Sequence, residues 1–302
     1  MSLTANSIPT TADESNSARV VESTIRKCNQ LATLPAVVVD IIRLSEDPDS
    51  TLEDLAKVIV GDPVLGVRIL KLMNSPYYGM PGRINSIHRA ILQLGFKAVK
   101  NIAIAASLTK LIRGGHVSPD FDAGDLWAHS IAVATGAQML ARQSDLVPAE
   151  EAFLAGLIHD MGIVVEMQAC GPAFAQMIQT LAADKKLTFR NAEAEVLGAS
   201  HENFGAGLCR AWNFPASLQF VAGYHHRPWA LAAAQRRLPT LVHIADVLAA
   251  RIGLGYTRTV ETDSVAPSLL GCVNLTQADL DAVAERLPEA VQQSQGLLSD
   301  GR

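Results

Sequence analysis

The apolar positions of this chain recur mostly at intervals of three and four residues, the spacing that lines one face of an α-helix. Few segments combine β-branched enrichment with clean alternation, so the pattern predicts an all-α protein. In LPAVVVDIIRLSEDP, Leu34, Val38, Ile41 and Leu44 keep the helical step and Pro48 closes the segment, so the run Val37-Val38-Val39 is read as helix. Thr51, with Asp54 three residues on, has the form of a capping box. Asp62-Pro63 opens PVLGVRILKLMNS with proline in the first turn, where its missing N–H costs nothing. NSPYYGMPGR reads as a loop, Ser86 begins a helix that Gly95 ends after Leu94, and a further helix is predicted over Lys97–Ile112.

The turn residues of RGGHVSPDFDAGD place a boundary near 113–125. Beyond it the spacing predicts helices at Leu126–Arg142, Glu150–Gln168, Pro172–Ala183, Arg190–Val196, Glu202–Trp212, Pro215–Tyr224 and Leu241–Ile252, with a last one from Gln277 to Arg286 introduced by Thr276. The expected organisation is a disordered tail at 1–19, an N-terminal helical subdomain at 20–113, a second helical subdomain at 114–256 and a partly helical C-terminal extension at 257–302. No internal repeat is present.

Composition narrows the function. With 302 residues and 49% hydrophobic content, the chain can bury one large core or two ordinary ones. Cys28, Cys170, Cys209 and Cys272 form no CxxC pair, which argues against a thiolate zinc site and points to a reducing compartment; a cytoplasmic protein is expected. The opening MSLTANSIPTTADESNS lacks the basic start and apolar run of a signal peptide. Ile102–Leu108 and Phe153–Ile158 are far shorter than the roughly 20 residues that cross a bilayer. The net charge of -5 argues against nucleic-acid binding by the chain as a whole. Between Pro63 and Pro119, however, there is no Asp or Glu, while Arg68, Lys71, Arg83, Arg89, Lys97, Lys100, Lys110 and Arg113 fall inside; this is a solvated basic face or a docking site for an acidic partner or nucleotide.

Six of the eight histidines lie between 129 and 243. His159-Asp160 stands in FLAGLIHDMGIVV, in an otherwise apolar helix, where a buried charge is costly unless paired or bound to metal. Asp246 poses the same problem in LVHIADVLAA, and two such carboxylates invite a shared cation. Imidazole and carboxylate together suit iron, manganese, nickel, zinc or cobalt. Asp125 and His129 stand one helical turn apart, and His201, His225 and His226 follow downstream. Singly, each has a plain reading: a structural histidine, a helix N-cap for Asp125, an internal hydrogen-bonded pair for His159-Asp160.

The order His129, His159-Asp160, Asp246 resembles the H…HD…D signature of the HD superfamily of metal-dependent phosphohydrolases. LATLPAVVVDIIRLSEDP, IVGDPVLGVRILKLMNSPYYG, INSIHRAILQLGFKAVKNI, AGLIHDMG, HENFGAGLCRAWNFP, GYHHRP and IADVLA together resemble the HD-related output domain (HDOD) family of bacterial signalling proteins, over roughly residues 20–255. Likeness to the HD-GYP branch, which hydrolyses cyclic di-GMP, implies metal ligation by Asp125, His129, His159, Asp160, His201, His225, His226 and Asp246. It implies one or two divalent transition-metal ions, iron or manganese ahead of nickel or zinc. The chain departs from that branch in two places. Met161-Gly162-Ile163 follows the HD pair where a Gly-Lys is usual, and no GYP loop follows His225-His226.

Two functions remain open on these residues. The first is a regulatory module in which the pocket senses a small ligand, such as a nucleotide, and the N-terminal half passes its state to a signalling protein partner, with Tyr77-Tyr78 and the acid-free segment as the contact region. The second is a phosphohydrolase acting on a nucleotide or cyclic nucleotide, in which a metal-bound hydroxide attacks phosphorus, Asp160 orients or deprotonates the water and Arg227 substitutes for the missing lysine. DNA binding ranks last. His88, His116 and His243 are left outside the site, although His243 lies one turn before Asp246 and could support a ligand.

Overall fold

The structure is a computed structural model that describes residues 12–27, 34–75, 82–108, 111 and 116–298. The first half of the chain forms α1 (Ala12–Lys27), α2 (Ala36–Glu46), α3 (Leu52–Val60), α4 (Pro63–Met73), α5 (Ile87–Leu94) and α6 (Phe96–Leu108). A short antiparallel pair follows, β1 (His116–Ser118) with β2 (Phe121–Asp122), the only sheet among the described residues. Then come α7 (Ala123–Ser144), α8 (Ala149–Ile158), α9 (Met161–Ala169), α10 (Gly171–Ala183), α11 (Phe189–Val196), α12 (His201–Ala211), α13 (Ala216–Tyr224), α14 (Arg237–Arg251), α15 (Pro267–Cys272) and α16 (Gln277–Leu298). The all-α expectation holds.

The predicted helix starts are built as the sequence implies. Thr51 accepts from the Asp54 amide while the Asp54 carboxylate accepts from the Thr51 amide. Asp62 caps α4 by accepting from the Leu65 amide at 3.0 Å, with Pro63 in the first turn. Ser86 caps α5, and Gly95 ends it at φ 84°, a left-handed backbone that favours glycine. The Tyr77-Tyr78 loop, Cys28 and the end of the helix expected to reach Ile112 lie outside the described residues.

α7 is the hub of the second half: α8, α14 and α16 all pack on it, while α12 packs on α9 and α13. α6 lies against α8 and joins the halves, and one continuous core runs from Val21 to Val291. The stretch Ala149–Ala169 is long and apolar enough to cross a membrane, but 83% of its most apolar window is buried inside the fold. Its apolarity reflects its place in the core.

Four sequence expectations are corrected. Part of the stretch read as a tail is helical: α1 begins at Ala12 and lays Val21 and Ile25 on α12, where Gly207 leaves room for them. The single helix expected over Glu150–Gln168 is two, because the chain breaks at His159 and Asp160; Asp160, with φ -97° and ψ 16°, falls outside helical geometry. The last helix does not end at Arg286 but runs through Pro288, since Leu280, Val283, Leu287 and Val291 continue a buried stripe against α7 and α4. The region read as turns before α7 contains the β1–β2 pair, and α15 was not anticipated.

The break at the His-Asp pair is enforced by close packing. A Cβ built on Gly162 would sit 1.9 Å from the His201 carbonyl oxygen and 2.8 Å from the Gly205 amide, so α9 and α12 touch backbone to backbone there. Gly156 is likewise pressed on α7, where a Cβ added to it would fall 2.7 Å from the Ala134 Cα. Gly162→Ala is therefore expected to destabilise the protein by about 3 kcal/mol or more, because the obstructing atoms are backbone and cannot rotate away. Chemical denaturation checks this; a loss below about 1 kcal/mol would contradict the contact.

Candidate metal centre

Six helices meet where the predicted ligands lie. His129 projects from α7, Asp246 from α14, His159 and Asp160 from the α8–α9 break, His201 from the first turn of α12, and His225 and His226 from the end of α13. All are buried; His226, at 7% exposure, is the most accessible. Breaking the helix at the His-Asp pair is what lets adjacent side chains serve one centre, since neighbours on an unbroken helix diverge by about 100°.

The histidines are anchored from behind. His159 Nδ1 lies 2.7 Å from the Gly156 carbonyl, His225 Nδ1 3.1 Å from that of Val221, and His201 Nδ1 2.7 Å from the Glu193 carboxylate. A carbonyl can only accept, so the Nδ1–H donates there, and in a neutral ring Nε2 carries a lone pair. Those Nε2 atoms all face Asp160: His159 at 3.3 Å, His225 at 3.4 Å and His201 at 3.5 Å. A lone pair opposed to an anion is repulsive unless a proton or a cation lies between them. His129 has an acceptor at each nitrogen, the Leu254 carbonyl at 3.3 Å and Asp246 at 2.9 Å, and His201 and His226 bring their Nε2 atoms within 3.0 Å.

Buried polar atoms here lack the partners that folded proteins normally provide. His159 Nε2, His225 Nε2, both Asp160 oxygens and Asp246 Oδ2 have no hydrogen-bond partner. Their ligand atoms converge in three overlapping sets, Asp160/His201/His225/His226, His129/His159/Asp160 and His159/His225/Asp246, each within 4.8 Å. Nitrogen and carboxylate oxygen are the only donors, a set that suits iron, manganese, nickel or zinc, and Asp160 stands in two of the three sets. The residues fit a divalent metal centre.

The electrostatics agree. Burial alone would raise the Asp160 pKa, but the surrounding imidazoles of His159, His225 and His201 hold it well below the usual carboxylate range. Burial opposes charge on His201 as well, yet Glu193 and Asp160 push it up to about 9. His226 is held well below its ordinary value by burial and by His225 and His201.

Asp125 is solvent-exposed and stands in none of the three sets; its backbone carbonyl instead accepts from the Tyr256 amide at 3.0 Å. His243 supports the centre from behind, its Nδ1 lying 2.8 Å from the His225 carbonyl. Two participants were missed. Glu193 orients His201, and Glu166, fully buried on α9, has burial and Glu193 raising its pKa well above the usual range. Glu166 carried a legible signal: one acid in MGIVVEMQA, the same anomaly that singled out Asp246.

A carboxyl group whose pKa is raised on folding contributes stability that is present below its unfolded value and lost as pH rises through the folded one. Glu166 therefore penalises the fold at neutral and alkaline pH. Glu166→Gln is expected to be more stable than the parent at pH 7–8, with the advantage vanishing toward pH 4. Denaturation midpoints across that range check it, and a variant less stable at pH 8 than at pH 4, relative to the parent, would reverse the assignment.

Comparison with known proteins gives the family. A model of the HDOD domain matches residues 31–228, which include every candidate ligand except Asp246. The crystal structure of an HDOD domain protein of unknown function from Geobacter sulfurreducens superposes with a TM-score of 0.78 at 26% identity, covering 94% of this chain and 98% of that one. A candidate signal transduction protein from Marinobacter aquaeolei VT8 gives 0.73 at 23% identity, covering 95% of this chain and 66% of that one. A candidate metal-dependent phosphohydrolase from Shewanella amazonensis SB2B gives 0.61 at 18%, covering 94% and 100%; the last two likenesses are of fold. An uncharacterized protein of Treponema pallidum (strain Nichols) is 25% identical over 222 residues, 70% of this chain, and the chain spans 41% of that relative's length. With two thirds of its length matched to one family model and 94% of it superposed on a solved HDOD domain protein, the chain belongs to the HDOD domain family.

Proposed function

We propose that this chain is a signalling HDOD protein whose buried His/Asp centre holds one or two divalent transition-metal ions and works as a binding rather than a hydrolytic centre. The carrying observation is the closed ring of anchored imidazoles aimed at carboxylate oxygens that have no other partner. A bound metal would supply the positive charge that those oxygens and lone pairs lack. The chain's own residues do the rest: the Gly156 and Val221 carbonyls and Glu193 fix the ring orientations, and His243 fixes the backbone of His225.

Binding is favoured over hydrolysis because a catalytic centre must admit substrate to an open coordination position. Here the ligands are buried, with His226 at 7% exposure the most open, and Ile163, where a phosphate-binding lysine would help, is fully buried. One observation favours a hydrolytic reading: Asp160 belongs to two ligand sets, the arrangement a bridged pair of ions would use. The likeness to a candidate signal transduction protein supports a regulatory role, and the acid-free segment 63–119 offers contacts for an acidic protein partner.

Protein purified without an affinity tag or chelator is expected to carry near-stoichiometric iron, manganese, nickel or zinc by elemental analysis, and the His159→Ala/Asp160→Ala variant is expected to have lost it. Folded parent protein that is metal-free and refuses added metal would overturn the metal centre; steady nucleotide hydrolysis by the loaded protein would overturn the non-hydrolytic part.

Metal uptake is also expected to release protons. With its pKa at about 9, His201 holds a proton at neutral pH that must leave before Nε2 can bind metal. Apparent affinity should fall as pH drops below that value, by about tenfold per unit for each proton displaced. Calorimetry in buffers of different ionisation enthalpy reads the proton count, and a pH-independent affinity between pH 6 and 8 would contradict it.

A further inference from the structure

The centre is sealed except at one edge, and that edge has a chemistry of its own. His226 is the most accessible of the converging ligand residues, and Arg227 follows it with its side chain 44% exposed. Arg227 Nε is buried, has no hydrogen-bond partner, and lies 3.6 Å from Glu202. Arg190, from the first turn of α11, also reaches Glu202, at 3.3 Å. Its positive field extends to both His226 and His243. Two guanidinium groups thus flank one buried carboxylate beside the least buried ligand. Trp229 lies edge-on to His243 with ring centroids 5.9 Å apart, and it is 57% exposed, an unusual setting for an indole.

The occupant of Arg190 is informative. Glu261, on the segment that follows α14, meets the Arg190 guanidinium through both carboxylate oxygens, at Nε (3.0 Å) and at Nη2. This two-point pairing of a planar anion with a guanidinium is the geometry in which arginine binds carboxylates and phosphates alike. The same segment is tied to the centre at its start, where the Leu254 carbonyl meets His129 and the Tyr256 amide donates to Asp125. Gly255 makes that approach possible: a Cβ there would lie 2.3 Å from the His129 amide nitrogen.

We propose that Arg190, Arg227 and Trp229 form a recognition rim for a phosphate monoester carried on an aromatic ring, in chemical class a nucleoside monophosphate, and that Glu261 occupies Arg190 until such a ligand displaces it. The guanidinium groups take the phosphate and the exposed indole takes the ring, by stacking that tolerates any base. The carboxylate of Glu261 is the internal competitor. This rests on the proposed function only in treating the His/Asp centre as a ligand-responsive pocket; the rim itself contains no candidate metal ligand.

Isothermal titration of AMP and of inorganic phosphate into the full chain tests it, in the parent and in the Glu261→Gln, Arg227→Gln and Trp229→Ala variants, each verified as folded by thermal denaturation. Glu261→Gln is expected to bind AMP on the order of tenfold tighter than the parent, the effect of removing one charge-assisted competitor. Arg227→Gln should weaken both probes, whereas Trp229→Ala should weaken AMP and leave inorganic phosphate unchanged. If Trp229→Ala leaves AMP binding unchanged, the site is one for free phosphate and the ring-bearing ligand is overturned. If Glu261→Gln binds no tighter than the parent, or AMP does not bind at millimolar concentration, the rim is overturned. Should Glu261→Gln fail to fold, the Trp229→Ala comparison still decides, because that side chain is largely exposed. Repeating the titrations on chelated protein separates this from the metal reading: the rim is expected to bind AMP without metal.

Discussion

Two carboxylates with essentially no solvent exposure, Asp160 and Asp246, set the terms for the rest of this structure. An ionised carboxylate moved from water to a protein interior loses several kcal/mol even after relaxation, and the loss is recovered only by well-placed opposite charge and hydrogen bonds. The fold answers by bringing imidazoles from α7, α12, α13 and the α8–α9 break to one place and pinning their far nitrogens. That convergence explains features that look unrelated in sequence. Gly162 exists as glycine so that α9 can touch the carbonyl of His201, Gly156 so that α8 can touch α7, and Gly255 so that a carbonyl can be delivered to His129.

This polar machinery is not the main source of the fold's stability. The centre carries atoms without partners, and Glu166 adds a carboxyl group that resists ionisation beside Glu193. Stability comes from the continuous apolar core around α7, and the centre is a localised cost that the core offsets. A chain selected for stability alone would have filled these positions with leucine. Retaining several buried histidines and carboxylates instead is a cost that packing alone does not explain.

The architecture was legible wherever local chemistry decides. Capping residues at Thr51, Asp62 and Ser86 and the stop at Gly95 are read from single side chains, and the structure places each element accordingly. The convergence of the cluster was legible because the order of His129, His159, Asp160, His201, His225, His226 and Asp246 is meaningful even without distances. What was not legible depends on tertiary contact. The break at His159-Asp160 accompanies tight packing on α12, since FLAGLIHDMGIVV has no proline and Gly156, its one glycine before the break, lies inside α8. Proline at 288 reads as a stop, yet the helix persists because its buried stripe has partners on α7 and α4. Asp125 is read as facing His129 by its one-turn spacing, but the side chain at a helix start can point to solvent while the backbone makes the contact, and here it does. Glu193 is one of two acids in RNAEAEV, and only burial distinguishes it from Glu195.

α12 is where these separate features meet. Its first residue, His201, faces Asp160; its second, Glu202, takes Arg190; and Gly207, two turns on, receives Val21 and Ile25 of α1. The contacts at Gly162 and at Gly207 are close enough that neither partner can approach further, with a Cβ at Gly207 falling 2.5 Å from Val21. Packed interiors transmit displacement rather than absorb it. A helix held in this way cannot shift at the His/Asp cluster without disturbing both the Arg190–Glu202 pair and the seat of α1. The N-terminal helix therefore rests on the element that also carries a buried histidine facing Asp160 and the carboxylate between two arginines, so one helix couples the packing of α1 to the geometry of the buried cluster.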